Sequence, residues 1–250
     1  MGGGGSILGI PVFVYLMVCE VDQATTYSWF IIGVASMIGT MAYLRKGNIS
    51  MEAILQFGLP SLITVFFIRK YVMPNIPEII NLFGFDVSKH VLIMAMFSIL
   101  IIASSLNLIK KKKQDRINKT KWDEFCRSPL GLPFIIVLGV AFGFVIGFLG
   151  AGGGFIIVPV LMQFLNLEFK KAVGTSLCII SLNSLVGFIG SIGHVAIDWN
   201  VLSIVTISCI LGLVLGNTLS NKISSHILKP AFGWFTLVVG FFIFVKEILL

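Results

Sequence analysis

The sequence predicts an all-α fold: a polytopic transmembrane helical bundle of about eight spans, built from two inverted repeats with Gly-rich broken or re-entrant helices. Three observations predict it. Of the 250 residues, 57% are hydrophobic and 12% are charged, where a soluble domain carries roughly 45–50% and about 25%. The mean hydropathy is +1.01, and the charges gather between long apolar runs. A glycine-rich pattern also occurs twice, at an offset of 148 residues. A water-soluble globule, a disordered chain and a disulfide scaffold are all excluded.

The apolar runs of the first half are Ile7–Val18, Thr26–Leu44, Ala53–Ile68 and Val91–Ile109. Those of the second half are Pro133–Leu149, Phe155–Leu165, Ala172–Ile192, Val201–Leu219 and Pro230–Val245. A full span needs about 20 apolar residues. The runs at Ile7 and Phe155 are too short and suit half-helices, which must be shielded by protein or line a polar cavity.

Both short runs open on the repeated pattern. The first copy reads Gly3-Gly4-Gly5-Ser6 and reaches Pro11; the second reads Gly152-Gly153-Gly154-Phe155 and reaches Pro159. Beyond the prolines the copies keep register, with Ala24 matching Ala172, Ser28 matching Ser176 and Ser36 matching Ser184. The expected organisation is a first repeat over 1–109, a basic loop over 110–131 and a second repeat over 132–250. A full apolar run precedes the second cluster, but only Met1 and Gly2 precede Gly3. Either the chain lacks one helix or its start lies downstream of the true one; the second reading is favoured.

Loop charges set the orientation. The stretch Lys110 to Arg127 holds eight bases and three acids, which places it in the cytoplasm. That explains the net charge of +7 without nucleic acid. Counting outward, Arg45-Lys46 and Lys170-Lys171 fall inside, and Glu20, Asp22, His194 and Asp198 outside. Equivalent loops of the two copies swap sides and charge, the pattern of inverted repeats.

The glycine clusters are the most informative candidates for chemistry. A helix that breaks there leaves an N-terminus with free N–H groups and a positive dipole end, which attracts an anion. Hydroxyls and a carboxamide can replace the hydration shell of an oxyanion without a fixed charge. The candidate substrate-binding residues are therefore Gly4, Gly5, Ser6 and Ser28 in the first copy. In the second copy they are Gly152, Gly153, Gly154, Thr175, Ser176 and Asn183. Two further glycine stripes, Gly139-Gly143-Gly147 and Gly212-Gly216, read as packing faces. No Asp, Glu, Lys or Arg lies inside any apolar run, so no carboxylate relay is expected. There is no metal-ligand spacing, no nucleophile elbow and no completed nucleotide-binding fingerprint. No cofactor, metal or enzyme activity is expected. Cys19, Cys126, Cys178 and Cys209 read as small apolar side chains.

These residues resemble the TauE/SafE sulfite exporter family. The resemblance rests on Gly147-Phe148-Leu149-Gly150-Ala151-Gly152-Gly153-Gly154, Val158-Pro159-Val160-Leu161 and Lys171-Ala172-Val173-Gly174-Thr175-Ser176. It extends to Gly193-His194 and Asp198-Trp199, with first-half echoes at Gly4-Gly5-Ser6, Pro11 and Arg45-Lys46-Gly47-Asn48. It implies an inner-membrane, multi-pass transporter of small anions, chiefly sulfite, sulfonates and other sulfur oxyanions. The sequence departs at Thr25-Thr26-Tyr27-Ser28, where a tyrosine stands in for a small hydroxyl. A cytoplasm-negative potential drives an anion outward by about 2.3 kcal/mol per charge per 100 mV, so the expected direction is efflux. The expected partners are a small anion and the lipid bilayer, with homo-oligomerisation left open. A carrier of another small metabolite and a non-transporting membrane scaffold are the alternatives.

Overall fold

The structure is a computed structural model that describes residues 6–17, 19–82, 85–109, 131–150, 153–220 and 225–248. Gly4, Gly5, Gly152 and the basic loop lie outside the described residues. Nine helices follow one another among those described. They are α1 (Ser6–Pro11), α2 (Val21–Leu44), α3 (Met51–Asn75), α4 (Lys89–Ile109) and α5 (Gly131–Leu149), then α6 (Gly154–Phe164), α7 (Phe169–Ser191), α8 (Trp199–Ser220) and α9 (Ser225–Ile248). Each apolar run of the sequence is thus a helix. The fold is all-helical, as expected, apart from one short hairpin in a connection. Between α3 and α4 the antiparallel strands β1 (Ile79–Leu82) and β2 (Phe85–Ser88) pair in the register Ile79 to Ser88.

Among the described residues, four helices are long and apolar enough to cross a membrane: α2, α3, α5 and α7. Helix α5 shows why. Ile135, Gly139, Gly143, Ile146 and Gly147 are buried, yet its outer face carries Ile136, Val137, Val140 and Phe144. A helix that is apolar all round has lipid, not water, on its open side.

Three helices of the first half have counterparts that begin 148 residues later. Ser6 and Gly154 open α1 and α6, Val21 and Phe169 open α2 and α7, and Met51 and Trp199 open α3 and α8. The packing units cut across this order. Met1–Met73 groups with Arg116–Asp198, and Pro74–Asp115 groups with Trp199–Leu250.

In the first unit, α2 lies against α7 and α3 lies along α5. Gly39 faces Leu177 at one end of the α2–α7 contact, and Gly187 faces Trp29 at the other. The two helices therefore run antiparallel. Helices α3 and α5 run parallel, with Gly139, Gly143 and Gly147 meeting Phe57, Ser61 and Ile68 in turn. A Cβ on Gly143 would come within 2.5 Å of the Ser61 carbonyl oxygen. This confirms the expected packing stripe: small residues let two backbones touch where apolar surface alone gives no drive to associate in lipid. The second expected stripe is corrected at Gly212, which has nothing within 4 Å of its Cβ direction.

Helix α3 is wound unevenly. Pro60 has no N–H, and the turn before it widens so that Leu59 N–H reaches the Ile54 carbonyl. Widening the turn is one way a helix accommodates proline without breaking. A second widened turn, Ile68–Val72, carries the helix on to Asn75. In the second unit α4 packs on α9, where the Ser105 and Thr236 hydroxyl oxygens lie 2.8 Å apart and Gly240 sits against Ile101.

Gly143→Ala is expected to lower thermal stability in detergent by about 1–3 kcal/mol through overpacking. Gly212→Ala, with open space at the same substitution, should be neutral or stabilise by up to about 1 kcal/mol. Paired melting curves check both.

Candidate functional site

The site is built on the break between α5 and α6. Helix α5 stops at Leu149, and Gly150 and Gly153 take φ of +75° and +65° before α6 begins. Only glycine enters that region without strain. Space is closed as well: a Cβ on Gly150 would meet Arg69 Nη2 at 2.6 Å and Thr25 Cβ at 2.7 Å, and one on Gly153 would collide with the Ile146 side chain. Gly154 is buried as the first residue of α6, and the N-cap residue, Gly153, has no side chain to cap that N-terminus. Ser6 likewise opens α1.

Beside the break lies a residue that the sequence reading missed. In sequence the apolar run ends at Ile68, one residue short of Arg69. The structure instead continues α3 through a widened turn, and Arg69 is 3% exposed. The apolar run itself holds no charge, but the helix continues past it and buries one. Arg69 Nη1 donates to Thr25 Oγ1 at 3.1 Å. Its guanidinium lies over the Trp29 ring, 5.5 Å from the centroid, and Asp22 acts on it electrostatically. Nε and Nη2 have no hydrogen-bond partner among the described residues, nor does Trp29 Nε1. The next residue shows the contrast: Lys70 is exposed and lies over the Phe66 and Tyr71 rings. The available signal was helical continuity, since nothing breaks the helix between Ile68 and Pro74. An Arg-Lys pair ending an apolar run ordinarily reads as an interface anchor.

The described hydroxyl and amide candidates are spread along α2 and α7. Thr175 and Ser176 sit near the start of α7 and Ser28 near the start of α2. In the antiparallel pair Ser28 is level with Phe188, so Ser28 and Ser176 are about 18 Å apart along the helix axis. Thr175 Oγ1 accepts the Ser50 N–H at 2.9 Å, where α3 begins, and Gly174 abuts Asn48 and Tyr43. The Ser176 hydroxyl donates to the Val173 carbonyl at 2.8 Å. Both groups are thus engaged within the protein. Asn183 lies midway, donating from Nδ2 to Ser61 Oγ at 2.8 Å, while its Oδ1 has no partner among the described residues. Ser28 Oγ and Ser184 Oγ are also buried without one. Ser181 donates to the carbonyl of Gly33, its counterpart 148 residues earlier.

A family model described as sulfite exporter TauE/SafE matches residues 1–243. The chain belongs to the TauE/SafE sulfite exporter family. Among its relatives, a probable membrane transporter protein of Xylella fastidiosa strain Temecula1 is 24% identical over 97% of this chain and 88% of its own length. One from Methanocaldococcus jannaschii is 27% identical over 96% of this chain and 88% of its own length. The probable membrane transporter protein YdhB of Bacillus subtilis is 26% identical over 92% and 88%. No solved structure matches the chain.

Tyr27 links α2 to a distant segment of the chain. Its phenol oxygen accepts the Asp198 N–H at 2.8 Å, and its ring meets Phe13 edge-on at 5.4 Å. Gln23 Nε2 donates to the Ala196 carbonyl at 3.2 Å. In this TauE/SafE member the start of α2 is thereby tied to the segment that follows α7.

Thr175→Val keeps the shape but leaves the Ser50 N–H without its acceptor, and is expected to cost about 1–3 kcal/mol. Ser176→Ala, which removes only a bond to its own helix, should cost less than about 1 kcal/mol. Thermal unfolding of the two variants side by side tests that difference.

Proposed function

We propose that this TauE/SafE protein carries a small anion across the cell's inner membrane. The anion is sulfite, a sulfonate or another sulfur oxyanion, and movement is outward by alternating access. In this reading the chain is a multi-pass protein of about eight spans. Two inverted repeats, 1–109 and 132–250, are joined by a cytoplasmic loop at 110–131, and the substrate site lies between them.

The observation that carries the reading is the pairing of α2 with α7. Gly39 meets Leu177, and Gly187 meets Trp29; moving the first pair by 148 residues, each helix onto the other, produces the second. Ser181 bonds to its own counterpart, Gly33. Such reciprocal contacts are what a two-fold axis between inverted repeats requires, and transporters of that design place substrate near the axis beside broken helices. The break at Gly150–Gly153 adjoins this pair, and the α6 N-terminus favours negative charge. The family description supplies sulfite. Efflux follows from the membrane potential, which expels an anion without a coupling ion.

The test is flux in proteoliposomes. Loaded sulfite, sulfoacetate or thiosulfate should leave under an imposed potential that is negative in the compartment holding it. Gly153→Leu should abolish that flux, because it forces a branched side chain into a left-handed position against Ile146. Gly212→Ala should leave the flux unchanged. Equal flux from Gly153→Leu, or none from the folded parent with any of the three anions, would sink the reading.

A further inference from the structure

We infer that Arg69 is the anion-binding residue and that it takes its ligand side-on, through the Nε–Nη2 edge of the guanidinium, with Trp29 Nε1 as a further donor. This rests on the transport reading above and assigns to it a residue outside both glycine clusters.

The argument begins with cost. A cation taken out of water needs compensation by charge and hydrogen bonds. Arg69 is 3% exposed. One of its nitrogens, Nη1, is held by Thr25 at 3.1 Å. The Trp29 ring supports the guanidinium at 5.5 Å, and Asp22 supplies a balancing field. These contacts orient the group but leave Nε and Nη2 unbonded among the described residues.

Nε–H and one Nη2–H are parallel donors on one edge, and they match two oxygens of a single anion. Trp29 Nε1, fully buried and also unbonded among the described residues, can only donate. An all-donor arrangement selects an anion over a neutral polar solute. A two-pronged edge selects an anion with two adjacent oxygens, such as a carboxylate, sulfite or a sulfonate, over a monatomic halide. Two glycines let neighbouring backbone approach the group with no side chain between. A Cβ at Gly150 would strike Nη2, and one at Gly190 would press on Arg69 Cβ at 3.1 Å. The widened turn that holds Arg69 is of a kind often found at functional sites.

The experiment is calorimetric titration of the full chain in detergent with sulfite, methanesulfonate, acetate and chloride. The parent should bind at least one two-oxygen anion and bind chloride more weakly. Arg69→Lys keeps the charge and loses the fork, so its affinity for that anion should fall about tenfold to a hundredfold. Arg69→Gln should abolish binding. Trp29→Phe keeps the supporting ring and removes the donor, for a loss of about threefold to tenfold. Comparing sulfite and methanesulfonate with acetate separates a sulfur oxyanion from a carboxylate.

Unchanged affinity in Arg69→Lys, or chloride binding as tightly as the oxyanions, overturns the assignment. So does a folded parent that binds none of the four. If neither arginine variant folds, Trp29→Phe decides, and unchanged affinity there overturns it. Flux separates this inference from the transport reading. Parent flux with an affinity indifferent to Arg69 removes the inference alone. Arg69-dependent binding without flux removes the transport reading alone.

Discussion

Away from water, every polar group of this chain has to be satisfied by the chain itself. That constraint explains most of its architecture. Hydroxyls within the helices turn back on their own backbone: Thr26 to Asp22, Thr40 to Ser36, Thr64 to Pro60, Ser191 to Gly187 and Thr206 to Leu202. Ser105 bonds to Ile101 and, across to α9, to Thr236. Pro60 is accommodated by a wider turn rather than by a gap in the ladder. Against that background, the buried groups left without partners among the described residues stand out. They include Ser28 Oγ, Trp29 Nε1, Arg69 Nε and Nη2, Asn183 Oδ1 and Ser184 Oγ, and these residues all belong to α2, α3 and α7.

Glycine controls how closely those helices approach. Along α5 it brings the α3 backbone into contact, which fixes where the last turns of α3 lie. Those turns hold Arg69. At Gly150 and Gly153 it permits a left-handed path that ends one helix and begins another beside the guanidinium. Packing and site are thus coupled: a side chain added to the stripe would shift α3 and, with it, the buried charge.

The sequence candidates fared unevenly, for identifiable reasons. Gly153 and Gly154 were legible because left-handed glycine and a helix start leave a compositional mark, and the mark occurs twice. Thr175 and Ser176 were legible as buried hydroxyls but not as engaged ones. Their partners, the Ser50 N–H and the Val173 carbonyl, are backbone groups that carry no signature in composition. Ser28 and Ser176 match in register, yet the antiparallel crossing sets them far apart along the pair. Equivalence in sequence says nothing about proximity when the two helices that carry it pack antiparallel.

The sequence alone determined the membrane setting, the helix positions, the 148-residue register and the family, because hydropathy, periodicity and glycine spacing are local properties of the chain. The tertiary structure decided that α3 runs past Ile68, that strands form where a loop was expected and that Arg69 turns inward while Lys70 stays exposed. Each of these depends on what packs against the segment: Thr25 and Trp29 from α2, and Gly150 at the end of α5. A basic pair at the edge of an apolar run is anchored at an interface in most proteins. Here the neighbours supply a hydroxyl, an indole face and two gaps left by glycine, and that environment holds the arginine inside.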